Sequence, residues 1–188
     1  MSEIKTKFIL DADRSVLVVV DVQEKLCKAM DEKVLEHLTN NIDILIQAAV
    51  ELNIPVIFTE QYPKGLGETL EKFKKYLDEK PVEKTSFSCC GESCFPDKLR
   101  KTGRSQAIIT GMEAHVCVLQ TVLDLLDNGY KVHMVKDAVM SRKKENWRVG
   151  VDIARDAGAV VTSAETVLFQ LLKRAGGEAF KKLSKLIR

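Results

Sequence analysis

Asp21, Lys84 and Cys117 each fall at or just past the end of an extended run in the sequence. A carboxylate, an ammonium and a thiol gathered in one crevice can divide the work of nucleophilic catalysis. The acid anion takes the thiol proton, the cation holds the carboxylate and the substrate, and sulfur attacks an electrophilic carbon. Cys117 closes the stretch Ala107-Ile108-Ile109-Thr110-Gly111-Met112-Glu113-Ala114-His115-Val116-Cys117, where a strand pattern breaks into a turn and delivers the thiol to a helix start. Free amide hydrogens and the positive dipole end favour thiolate there and lower a thiol pKa from ~8.5 toward ~3.5–7.5. Each residue also has a plain reading. Asp21 can cap the turn Asp21-Val22-Gln23, Lys84 can be a solvated lysine, and Cys117 can be a buried core cysteine.

The elements that would position these groups alternate between strand and helix signals. Ser15–Val20 is a continuous β-branched run ending beside Asp21, as expected for a parallel strand covered on both faces. Apolar residues recur at helical spacing from Val34 to Leu52, and Ile54–Thr59 resumes an extended pattern. Tyr62–Gly67 reads as a loop, Glu68–Leu77 as a short charged helix, and Pro81–Lys84 as a brief strand. The scheme then repeats: strand Gln106–Thr110, helix His115–Leu126 stopped by Asn128-Gly129, strand Lys131–Val135, helix Lys144–Ala157, strand Ala159–Val161. Thr162 and Ser163 can cap a helix over Ala164–Leu172, and Gly176-Gly177 precedes an amphipathic turn with Phe180, Leu183, Leu186 and Ile187. This order predicts an α/β fold with an open, mostly parallel sheet and helices on both faces. In such folds ligands bind outside the carboxyl ends of the strands.

A length of 188 residues fits one domain, taken here as 1–188, with enough chain to bury a core. With 29 basic and 27 acidic side chains the formal charge is +2, which gives no strong field for nucleic acid or an anionic membrane. No apolar run approaches the ~18 residues of a bilayer span, and the amino terminus lacks signal-peptide order. Cys27, Cys89, Cys90, Cys94 and Cys117 make an odd number without framework spacing, which suits free thiols in the cytoplasm.

Asp21-Val22-Gln23, Glu83-Lys84-Thr85-Ser86-Phe87-Ser88, Thr110 to Val118, and Asp137-Ala138-Val139 with Ser141-Arg142 together resemble the isochorismatase-like cysteine hydrolase family, over roughly Ser15 to Phe169. The resemblance implies a three-layer α/β/α fold, catalytic roles for Asp21, Lys84 and Cys117, and a homo-oligomer. It also implies a cis peptide at Met112–Glu113, with the amides of Glu113 and Cys117 as oxyanion donors. Gln23, Phe87, Ala114 and Arg142 flank these segments and are expected in the substrate pocket. The implied activity is cleavage of a small-molecule amide or related C–N bond through a covalent Cys117 intermediate. The alternative is a non-enzymatic thiol-redox or small-molecule-binding protein on the same fold.

The chain departs from the metal-dependent nicotinamidase branch. The Asp-x-His metal motif gives way to Glu60-Gln61-Tyr62-Pro63, and the only histidines are His37, His115 and His133. No metal and no cofactor are therefore expected. Isochorismatases proper cleave a vinyl ether without a thiol, whereas Cys117 is retained, which points to acyl chemistry. The cluster Cys89, Cys90, Cys94 lacks the second pair that structural zinc requires. Gly65-Leu66-Gly67 lacks the setting of a dinucleotide fingerprint.

Overall fold

The computed structural model describes residues 3–187. Six strands, β1 (Ser15–Val20), β2 (Val56–Gln61), β3 (Val82–Lys84), β4 (Gln106–Met112), β5 (Lys131–Met140) and β6 (Val160–Thr162), form one sheet in the order β3-β2-β1-β4-β5-β6. Every neighbouring pair is parallel. The connections include α1 (Glu3–Phe8), α2 (Glu24–Cys27), α3 (Glu32–Glu51), α4 (Pro63–Leu66) and α5 (Glu71–Lys74). They continue with α6 (Cys94–Lys101), α7 (Cys117–Asp127), α8 (Lys144–Asp156), α9 (Ala164–Leu172) and α10 (Glu178–Leu183).

Strand alternation divides the core into two layers. Leu17 and Val19 of β1 pack with Leu38, Ile42, Leu45, Ile46 and Ala49 of α3. Val16, Val18 and Val20 point the other way, into a cluster with Val118 and Val122 of α7 and Val151 and Ala154 of α8. This is the expected three-layer α/β/α arrangement. Between β1 and β4 the direction of winding reverses, so the chain leaving their carboxyl ends departs to opposite faces, to α3 on one and α7 on the other, and the crevice between is where open α/β sheets hold ligands. Asp21 follows β1, Lys84 ends β3, and Cys117 opens α7 after β4. No helix among the described residues is long and apolar enough to cross a membrane.

Several boundaries differ from the sequence reading, for physical reasons. The helix expected over Glu68–Leu77 contracts to Glu71–Lys74, because the Thr69 amide and hydroxyl donate to Glu60 Oε1 (2.6 and 2.7 Å) and hold the chain extended there. The helix expected from His115 starts at Cys117, since Glu113–Val116 is a turn. Strands β4 and β5 run on to Met112 and Met140, past their expected ends, and there pair with each other. Short helices α4, inside the expected loop, and α6 were not anticipated.

Candidate active site

Asp21 leaves β1 with a φ of 50°, in the left-handed region that aspartate tolerates better than most residues. That turn aims its carboxylate back over the sheet end instead of along the strand. Its Oδ1 accepts from the Thr59 hydroxyl at 2.6 Å, and Lys84 Nζ lies 2.8 Å from Oδ2. The ion contact is off the axis of a hydrogen bond and leaves Oδ2 without a conventional donor. Lys84 instead donates to Gln61 Oε1 at 2.6 Å, the Phe87 carbonyl at 2.9 Å and the Ser86 carbonyl at 3.3 Å. Both side chains of this pair have no exposed surface. Burial alone would depress the Lys84 pKa. The charge of Asp21, with smaller effects from Cys89 and Cys117, overrides it and raises the value.

Cys117 adjoins the Asp21–Lys84 pair closely enough to feel both charges, and its Sγ is 3.8 Å from Gln61 Oε1. It is 6% exposed. Here the expectation of an acidified thiol is corrected. Burial, followed by the adjacent Asp21 charge, pushes the Cys117 pKa up to about 12, and Lys84 opposes this only in part. A helix amino terminus lowers a thiol pKa where water also reaches the sulfur. In this closed site desolvation outweighs the dipole.

The turn before Cys117 is built around two glycines. Gly111, at φ 107°, lets β4 run so close to β1 that a Cβ would stand 2.0 Å from the Val20 carbonyl oxygen. Gly150 of α8 abuts the Ala114 carbonyl oxygen, 2.5 Å from where its own Cβ would be. Met112–Glu113 is a cis peptide, as the resemblance implied. The Glu113 carbonyl accepts from the amides of Val116 (3.0 Å) and Val118 (3.2 Å), while the amides of Glu113 and Cys117 have no backbone acceptor among the described residues. Glu113 itself is held by Arg142, whose amide and Nε donate to its carboxylate at 2.9 and 3.1 Å.

The expected pocket residues separate. Ala114 is fully buried and donates to the Met140 carbonyl at 2.8 Å. Gln23 is buried as a brace for the 61–67 segment. It accepts from the Gln61 amide at 2.7 Å and donates to the carbonyls of Gln61 and Gly67. Phe87 contributes its carbonyl to Lys84 while its side chain turns outward, 56% exposed, so the ring does not join the three groups. Arg142 is half-exposed and borders a separate cavity. Thr59, Gln61 and Cys89 were missed. Thr59 and Gln61 sit at the carboxyl end of β2, where polar residues in an otherwise apolar strand were the available signal. Cys89 is fully buried, 3.8 Å from Thr59 Oγ1, and burial followed by the Asp21 charge raises its thiol to about 12. Among the described residues, Cys89, Cys90 and Cys94 form no group arranged to hold a metal ion. The turn carrying Lys84 onward is clamped by Glu92, which accepts from the amides and hydroxyls of Thr85 and Ser86. Those bonds, the Ser86 hydroxyl's foremost, lower the Glu92 pKa to about 2.

Comparison with known proteins places this chain in a family. The chain is 37% identical over 179 residues to isochorismatase family protein 1A of Dictyostelium discoideum, covering 93% of this chain and 86% of that protein. The solved structure of the MAR1 ribonuclease from Caenorhabditis elegans is 39% identical, with a TM-score of 0.87 over 95% of this chain and 92% of the other. The YcaC gene product of Escherichia coli, described as an octameric hydrolase of unknown specificity, shares the fold. Its TM-score is 0.88 at 22% identity, over 95% of this chain and 90% of that one. Residues 15–166 match the isochorismatase domain model, and the chain belongs to the isochorismatase family.

Proposed function

We propose that the protein is a cysteine hydrolase that cleaves a small-molecule amide or related C–N bond. The observation that carries this reading is the buried Asp21–Lys84 ion pair set against the Cys117 thiol at the start of α7. Titrating that thiol to water would place two anions beside one cation, which is why it resists ionisation. Moving its proton to Asp21 keeps the summed charge of the three groups at zero. The thiolate therefore forms as the substrate arrives, and Asp21 is the base.

In the first half-reaction the Cys117 proton passes to Asp21 as Sγ bonds to the carbonyl carbon. The resulting oxyanion faces the free amides of Cys117 and Glu113. The C–N bond then breaks, the leaving amine takes the proton from Asp21, and a thioester remains on Cys117. In the second half-reaction water gives a proton to Asp21 and its oxygen attacks the thioester carbon. The C–S bond breaks, and the thiol recovers the proton. Lys84 fixes the carboxylate throughout.

Side chains this enclosed suit a small substrate. A ribonuclease reading, prompted by the name of the Caenorhabditis elegans structure, would need a cationic track for a polyanion, and a net charge of +2 supplies little. All five cysteines are free, consistent with a cytoplasmic setting. Exposed Leu123, Val149 and Ile153 on α7 and α8 supply an apolar face for a homo-oligomer, the state named for the Escherichia coli structure. A panel of amides, carbamates and ureas tested against wild type and Cys117→Ala decides the reading. Turnover confined to the wild type supports it. Turnover surviving the substitution refutes covalent catalysis, and no turnover by either protein favours the rival reading, a thiol-redox or binding role.

A further inference from the structure

We propose that a cavity of about 580 Å³ at the amino-terminal turns of α3 and α8, over the end of β5, binds a small amphiphilic anion. The ligand would carry a ring-sized apolar body and one carboxylate or sulfonate. The volume falls within the ~300–1,000 Å³ of small-molecule sites. Its walls are Val34 and Leu38 of α3, Val139 and Met140 of β5, and Trp147 of α8. Leu38, Val139 and Met140 are core residues with little freedom to collapse into the space. The Trp147 indole is fixed because its N–H donates to the Lys136 carbonyl at 3.2 Å.

The polar rim selects the charge of the occupant. The two acidic side chains there are turned to backbone amides: Asp31 accepts from Val34 at 3.0 Å and Asp137 from Ala164 at 2.9 Å. Arg142 is committed to Glu113. Lys136 and Lys144 also line the cavity and have no ion-pair partner among the described residues. In addition, the residue capping α8, Lys143, offers no side-chain acceptor to that helix's first amides, so its positive end is open beside Lys144. Both carboxylates keep their charge, but each is engaged with the positive start of a helix, Asp31 with α3 and Asp137 with α9. The two ammonium groups and the start of α8 are not engaged, so the apolar floor suits an apolar anion better than a neutral or cationic ligand. Asp21, Lys84 and Cys117 do not line this cavity, so the inference does not rest on the thiol chemistry proposed above.

Trp147 is the only tryptophan in the chain, which gives the site its own reporter. The probe is 1-anilinonaphthalene-8-sulfonate, whose excitation overlaps indole emission, compared with the uncharged N-phenyl-1-naphthylamine. The expected result is saturable one-to-one energy transfer from Trp147, with the sulfonate bound about fivefold tighter than the neutral probe, equivalent to ~1 kcal/mol. The double variant Lys136→Gln/Lys144→Gln should erase that preference. Val34 is half-exposed at the mouth, so Val34→Glu should abolish binding of both probes without disturbing the core. Cys117→Ala should bind as wild type does. The proposal is overturned if saturating sulfonate shows no transfer from Trp147, if the neutral probe binds as tightly, or if either lining variant leaves binding unchanged. Loss of binding in Cys117→Ala would assign the probe to the thiol site and overturn it as well.

Discussion

Replacing Asp21 by asparagine should make Cys117 a stronger acid and a weaker catalyst. In the native site burial raises the thiol pKa to about 12 with the Asp21 charge as the second cause, while Lys84 works against both. For a unit charge beside the sulfur, with a contact separation of ~4 Å assumed and an effective dielectric of ~20, the interaction is worth ~4 kcal/mol, or roughly a thousandfold in ionisation. Without it the thiol should titrate near ~9, with Lys84 as its sole charged neighbour. The assay is the rate of carboxamidomethylation of Cys117 by iodoacetamide against pH, followed by peptide mass spectrometry. A less basic thiolate is also a poorer nucleophile. With a Brønsted slope of ~0.4–0.5 the thousandfold rise in thiolate becomes a net gain of roughly thirtyfold in rate at pH ~8. Turnover should meanwhile collapse, because the proposed base is gone. The double variant Asp21→Asn/Lys84→Met removes both charges and should return the thiol to a high pKa set by burial. If Asp21→Asn leaves the labelling profile where it was, or moves it to higher pH, the electrostatic account of the site is wrong.

Lys84→Met leaves the Asp21 carboxylate buried without its counter-charge and should cost ~3–5 kcal/mol in urea denaturation, most of it recovered in the double variant. A loss below ~1 kcal/mol would mean that water reaches the pair. Gly150→Ala gains ~1 kcal/mol of helix propensity, but its Cβ would meet backbone atoms of Ala114 and His115 at 2.5 to 2.9 Å. Overpacking should win by ~1–3 kcal/mol and shift the turn that carries Cys117, lowering both the melting temperature and turnover. Equal or greater stability would contradict the close approach. His133 is 1% exposed, and burial lowers its pKa from 6.5 to about 4, the Lys7 carbonyl opposing only weakly. The folded ring stays neutral while the unfolded chain takes up a proton, so stability is complete above pH 6.5, falls as pH drops toward about 4, and then levels. The loss should reach ~3 kcal/mol, and His133→Leu should flatten that part of the stability–pH curve.

The sheet was legible because a parallel strand buried on both faces leaves a continuous β-branched run, as in Ser15–Val20, and Asp21 interrupts it. Lys84 and Cys117 could be located by the same logic of strand ends, and their meeting with Asp21 follows from the strand order. The protonation state of Cys117 was not legible. Local sequence shows a helix start but not the shell of side chains that excludes water from it. Gln61 and Thr59 escaped because an amide and a hydroxyl at a strand end look like ordinary edge residues until Asp21 and Lys84 arrive beside them. The direction of the Phe87 ring was not legible for a related reason: sequence proximity to Lys84 fixes where its backbone goes, whereas the ring faces solvent. The helix expected over Glu68–Leu77 failed because Glu60, a buried acceptor nine residues upstream of Thr69, outcompetes helix propensity there.

The central claim is that Asp21, Lys84 and Cys117 act as one nucleophilic unit. Its most direct test is intact-protein and peptide mass spectrometry after acid quench of the enzyme turning over an amide or activated ester found in the substrate panel. The account predicts one acyl group, bound to Cys117 and absent from Cys117→Ala, formed far more slowly in Asp21→Asn. An acyl group on Cys89 instead, or steady turnover in Cys117→Ala with no adduct in the wild type, would contradict it.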